Sequence, residues 1–190
     1  PFFLYFTLRN KPQQIINFAL TFISVGTFTV FFTRYSVDSF LEPWSWPWHL
    51  CNTAMLILPI CIIFKTKRFF YFTIFINVAG ALLAMLMPNY DETANLFSHF
   101  IINFWYNHWI AFFMPILCIA LKLFERPKIK QFYYSLIFFF CYYALMMFLN
   151  VYFTAIGHPT DFFFINSDFI ADKLGDWAVK LFNKTMIITL

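Results

Sequence analysis

The run WHLCNTAMLILPICIIF, Trp48 to Phe64, contains no Asp, Glu, Lys or Arg, and the four residues that follow it, KTKR, bring three charges at once. A bilayer core takes about 20 apolar residues of helix, so this pattern reads as a membrane span stopped by a basic loop. The same pattern recurs in both directions along the chain. Uncharged runs at Ile15 to Phe32, Phe69 to Met87, Phe97 to Leu121 and Tyr133 to Phe153 make, with the first, five complete spans. Composition agrees: 62% of the 190 residues are hydrophobic and 12% charged, and the mean hydropathy is +0.69, too little polar surface to coat a soluble globule. The expected fold class is all-α, a polytopic transmembrane helix bundle in one domain covering residues 1–190, with partial spans at both ends and six or seven spans in the intact protein.

The ends carry separate expectations. Residues 1–8, PFFLYFTL, precede Arg9 and Lys11 and read as the tail of an earlier helix; the alternative is a segment lying flat in the interface. A last span begins near Trp177. Residues 178–190 would climb only about 20 Å at ~1.5 Å per residue, so that span is expected to continue past Leu190. Between them, residues 154–176 form an outer loop whose aromatics, FFF and Phe169, sit among acids. It is expected to fold back as an interfacial lid or short helix, since a disordered linker would carry fewer apolar residues.

Charge orients the bundle. Arg9, Lys11, Lys65, Lys67, Arg68, Lys122, Arg126, Lys128 and Lys130 fall in alternate loops, which places those loops in the cytoplasm. The intervening loops carry Asp38, Glu42, Asp91, Glu92, Asp161, Asp168, Asp172 and Asp176, with Arg34 and Lys173 as their basic residues. The formal net charge of +4 is mainly this topological signal, with some attraction to anionic headgroups, and calls for no nucleic-acid partner. The expected location is the plasma membrane, with the acidic loops outside.

Polar side chains inside hydrocarbon are costly unless partnered, so their positions mark where the bundle keeps a polar interior. Here they gather toward the acidic side: Cys51, Asn52 and Thr53 on the second span, Asn103, Asn107 and His108 on the fourth, Asn150 near the end of the fifth. Cys61, Cys118 and Cys141 lie among Ile, Leu and Phe and read as small core residues. Cys51 lies about one turn into its helix, where headgroups and water are within reach. At ~100° per residue, His108 shares a stripe with Ile101, Trp105, Phe112 and Pro115, whereas His99 falls nearly opposite. The two histidines therefore do not serve one site, and no spacing matches zinc ligand patterns, so neither metal nor cofactor is expected. Taken alone, His108 reads first as a histidine hydrogen-bonded to a neighbouring helix.

Longer motifs point further. WPWHLCNTAMLILPI, INVAGALLAMLMP, FSHFIINFWYNHW, Asn150 and LGDW resemble, in order and spacing, the bacterial YwaF family of integral membrane proteins. That family is similar to a eukaryotic transmembrane acyltransferase that moves polyunsaturated acyl chains between phospholipids to make ether lipids, using a cysteine and a histidine. More distantly it looks like androgen-induced hydrolases that cleave fatty acid esters of hydroxy fatty acids with a threonine and a histidine. Trp46 and Trp48 stand where leucines are usual, and Lys180 and Lys184 enter a last helix that is usually apolar. The resemblance implies Cys51 and His108 as catalytic residues of a phospholipid acyltransferase or lipid ester hydrolase. Cys51 would attack an ester carbonyl, His108 would move the protons, and Asn52, Asn103, Asn107 or Asn150 would bind substrate or steady the oxyanion. Membrane lipids are the implied partners. The rival reading is a non-catalytic subunit of a larger membrane complex, with Gly80 and Ala84 as a small-residue packing face toward another helix or another protein.

Overall fold

The computed structural model describes residues 1–33, 37–88 and 95–164; the expected last span and the rest of the outer loop lie outside the described residues. Among the described residues every regular element is helical. The elements are α1 (Phe2–Leu8), α2 (Gln13–Phe32), α3 (Val37–Leu41), a 3-10 turn (Pro43–Ser45), α4 (Leu50–Phe64), α5 (Lys67–Phe72), a π turn (Thr73–Asn77), α6 (Val78–Leu86), α7 (His99–Ala120), α8 (Ile129–Ala155) and a second 3-10 turn (Phe162–Phe164). The segment α5–π–α6 is one apolar rod, Lys67–Leu86, and with α2, α7 and α8 it is long and apolar enough to cross a membrane.

Helix α4 is the exception. It has 15 residues, about 22 Å at ~1.5 Å per residue, because the helix begins at Leu50 rather than at Trp48. Pro47 drives the residue before it from helical to extended backbone, and Trp46 stands at φ −70°, ψ 151°. His49, also extended, is the N-cap.

The interior is mainly apolar, but α2 and α7 also turn polar side chains inward and large apolar ones outward. Helix α2 buries Ile16, Leu20, Ser24, Thr27 and Phe31, a stripe at intervals of three and four residues, and exposes Phe18, Phe22, Val25 and Phe28. Helix α7 buries Asn103, Asn107 and His108 while exposing Ile102, Trp109 and Ile116. Polar groups turn inward and aromatics outward because hydrocarbon offers a polar group no partner. Cys61 and Cys118 are buried core residues, whereas Cys141 is exposed. That corrects the expectation for Cys141, which lies on the side of α8 away from the buried stripe of Tyr143, Met146 and Asn150.

Helix α4 packs on α2 and α7, α6 on α7, and α5 on α8. Two faces result. On the basic one, Lys65 Nζ donates to Asn17 Oδ1 at 2.7 Å and Lys67 Nζ to Glu125 Oε1 at 2.7 Å, which ties together the start of α2, the end of α4, the start of α5 and the chain just past α7. The Lys67 ammonium holds the Glu125 carboxyl below the usual carboxylate range. Beneath them Phe70 stacks on Phe124 with centroids 3.8 Å apart. On the other face His158 Nδ1 meets Glu42 Oε2 at 2.9 Å, and Trp46 packs edge-on against Phe153.

Candidate functional site

The first turn of α4 carries Cys51 and Asn52, and neighbouring helices hold the backbone on both sides of the thiol. Tyr142 Oη on α8 donates to the Trp48 carbonyl at 2.7 Å. Asn77 Nδ2, at the end of the π turn, donates to the Leu50 carbonyl and to Thr53 Oγ1, both at 2.8 Å. Thr53 Oγ1 itself donates to the Leu50 carbonyl at 2.7 Å. Cys51 is half-buried, with its Sγ 3.8 Å from Asn52 Oδ1.

That same Asn52 oxygen accepts from Asn107 Nδ2 at 2.6 Å, which sets α4 and α7 at one level. His108 follows directly. It is 4% exposed, its ring lies 4.2 Å from that of Phe104, and its Nδ1 is 2.6 Å from the Phe104 carbonyl. A carbonyl only accepts, so Nδ1 is assigned the proton and Nε2 the lone pair. Nε2 is buried without a hydrogen-bond partner, as are Asn103 Nδ2, Asn107 Oδ1 and Asn77 Oδ1. Such orphaned atoms are uncommon in native interiors, where each costs about 1–3 kcal/mol, and they call for an explanation. Asn103 lies one turn from Asn107 on the buried side of α7. These buried atoms are an imidazole lone pair, an amide donor and two amide acceptors.

Of the expected site residues, Asn52 and Asn107 are joined directly, and Cys51 and His108 are their chain neighbours. Cys51 and His108 are not hydrogen-bonded through Nε2. Asn150 has other partners: its Nδ2 donates to the Phe162 carbonyl at 3.0 Å, and its Oδ1 accepts from Thr160 Oγ1 at 3.0 Å and from Phe162 N at 2.9 Å. It thereby pins the chain beyond α8 back onto the bundle, where buried Phe162 meets the His49 ring edge-on. Asn150 also lines an open cleft of about 840 Å³ with Trp44, Val151, Thr154 and Thr160, a lining that includes neither Cys51 nor His108. Among the described residues no three His, Cys, Asp or Glu side chains gather as metal ligands.

Asn77 and Tyr142 were not among the residues expected at the site. For Asn77 the signal existed, a lone amide in an apolar run, where a polar group needs a partner on another helix. For Tyr142 there was none, since aromatics are 25% of the chain.

A bundle of apolar helices with a polar interior defines an integral membrane protein. The chain belongs to the TMEM164 family, a family of membrane proteins, whose model matches residues 1–190. No curated protein and no solved structure matches it.

Proposed function

We propose that the protein is a Cys51/His108-dependent phospholipid acyltransferase or lipid ester hydrolase. The observation that carries this reading is the setting of His108: a buried imidazole whose Nδ1 lies 2.6 Å from the Phe104 carbonyl, which assigns the proton to Nδ1, and whose Nε2 is unpartnered, on the residue next to the amide that grips the start of α4. A general base needs that protonation state. The thiol is placed to suit, since an α-helix N-terminus favours negative charge and Cys51 is in the first turn of α4.

In the first half-reaction His108 Nε2 takes the thiol proton and Sγ bonds to the carbonyl carbon of an acyl ester. The ester C–O bond then breaks, and the lysolipid alkoxide leaves with the proton returned from His108. In the second half, His108 deprotonates an acceptor hydroxyl or water, which attacks the thioester and releases Cys51 as its thiol. Asn103 Nδ2 is the buried amide donor without a partner, which makes it the preferred oxyanion donor over Asn52, Asn107 and Asn150. Such a donor is worth about 3–4 kcal/mol in a dry site. In this reading the Lys/Arg-rich loops face the cytoplasm, the acidic loops face outward from the plasma membrane, and the site opens toward the outer leaflet.

The rival reading, a structural subunit, draws on Gly80 and Ala84. A Cβ on Gly80 would lie 3.5 Å from Leu50 of this same chain, so at Gly80 the small-residue face serves internal packing. Two measurements separate the readings: lipid profiling of cells carrying Cys51→Ala or His108→Ala, and thiol-directed acyl-probe labelling of the purified protein. Altered ether-lipid acyl chains and Cys51-dependent labelling support the enzyme. Unchanged lipids, no labelling and stoichiometric co-purifying subunits support the scaffold.

A further inference from the structure

On the basic face, a cleft of about 510 Å³ opens beside the end of α7, lined on one side by Ile119, Ala120, Leu123 and Phe124 and on the other by Lys67, Lys122, Glu125 and Arg126. One of its three cations is already used, because Lys67 pairs with Glu125 at 2.7 Å. Lys122 and Arg126 have no ion pair among the described residues. The cleft thus has an apolar wall continuous with a span and a polar wall with two unmatched positive charges.

The backbone adds an independent observation. Lys122 stands at φ +59°, its N–H donates to the Ile119 carbonyl at 3.0 Å, and Leu123 N–H donates to the Cys118 carbonyl at 2.9 Å. This is the Schellman ending of a helix, and its left-handed position is one that glycine fills without strain. A lysine there adopts a conformation that residues with a Cβ take uncommonly, as Lys65 also does at the end of α4 (φ +55°), and it carries its charge at the rim of the cleft. Lysine near a helix C-terminus also complements the helix dipole.

We propose that this cleft binds a phosphate-bearing anion, with Lys122 and Arg126 as its charged contacts and the half-buried Ile119 and Leu123 as seat for an apolar tail. Arginine supplies a planar fork to phosphate oxygens and lysine a point charge. In a membrane the chemistry matches the headgroup of an anionic phospholipid; a soluble phosphate ester offers the same charge without the tail. The site stands apart from Cys51 and His108 and is independent of the proposed catalysis.

The test is native mass spectrometry of the full chain in detergent, titrated separately with phosphatidylglycerol, phosphatidylcholine and inorganic phosphate. The expected result is at least fivefold preference for phosphatidylglycerol over phosphatidylcholine. That preference should be lost in the Lys122→Gly, Arg126→Gln double variant and kept in a control double variant, Arg9→Gln, Lys11→Gln, on the same face outside the cleft. Lys122→Gly alone should weaken phosphatidylglycerol binding while its thermal midpoint stays level or rises, which separates loss of the site from loss of the fold. Displacement of the lipid by millimolar inorganic phosphate would assign the site to a soluble phosphate; failure to displace it assigns it to the lipid. No preference in the wild type, full preference in the cleft variant, or equal loss in the control would overturn the proposal.

Discussion

Asn77 shows how one amide fixes a site. Its two hydrogen bonds to Leu50 and Thr53 come from a side chain with no exposed surface, so removing it costs both bonds and leaves the Leu50 carbonyl with the Thr53 hydroxyl as its side-chain donor. Asn77→Ala should lower stability by about 1–3 kcal/mol, read as a drop in thermal midpoint in detergent; an unchanged midpoint would mean that these bonds contribute nothing net. In the catalytic reading, Asn103→Ala should cut turnover by about 10²–10³-fold with little change in folding, and a loss of less than about tenfold would remove Asn103 from the oxyanion role. At this scale the sequence was legible where polarity is rare. Cys51, Asn52, Asn107 and His108 stand out from apolar surroundings, and Asn52 and Asn107 do pair. Asn150 stood out equally, but no spacing could show that its amide would be taken up by Thr160 and Phe162 ten and twelve residues on.

Among the elements, charge located the spans but not their ends. The uncharged run beginning at Tyr133 marks a helix that starts at Ile129, because Lys130 stays helical and reaches over the Tyr134 ring, 5.7 Å from its centroid; a lysine stem can line a helix while its head finds water. Lys67 and Arg68 likewise extend the third span. The π turn at Thr73–Asn77 had no sequence signal beyond the lone amide; such turns are often found at functional sites. Helix contacts give a paired test. A Cβ on Gly26 would stand 2.9 Å from Tyr106 Oη, against 3.5 Å from Leu50 Cδ2 at Gly80. Gly26→Ala should therefore push Tyr106 Oη off the Ile23 carbonyl, to which it donates at 3.4 Å, and lower the thermal midpoint more than Gly80→Ala does; equal midpoints for the two variants would contradict that packing. Asn150→Ala should free the 160–162 segment, seen as faster amide exchange at Phe162 with the helical content kept.

Across the whole molecule, the exterior of Phe, Ile and Leu and the interior holding Ser24, Thr27, Asn77, Asn107 and His108 express one solvent argument, and it is why composition alone reached the fold class. Function was less legible, because buried polar groups answer both to packing and to chemistry. His108 illustrates this. Its Nδ1 bond to its own helix at Phe104 replaces the expected bond to a neighbouring helix, and that local bond is what leaves Nε2 with a lone pair and no partner. If the proposed chemistry holds, Cys51 carries an acyl group and His108 puts it there. Intact-mass analysis of the purified protein after exposure to a phospholipid donor, for wild type, Cys51→Ala and His108→Ala, reads this out. The wild type should gain one hydroxylamine-sensitive acyl adduct, Cys51→Ala none, and His108→Ala should form it about 10²-fold or more slowly. An adduct that persists in Cys51→Ala, or that forms at the wild-type rate without His108, would contradict it.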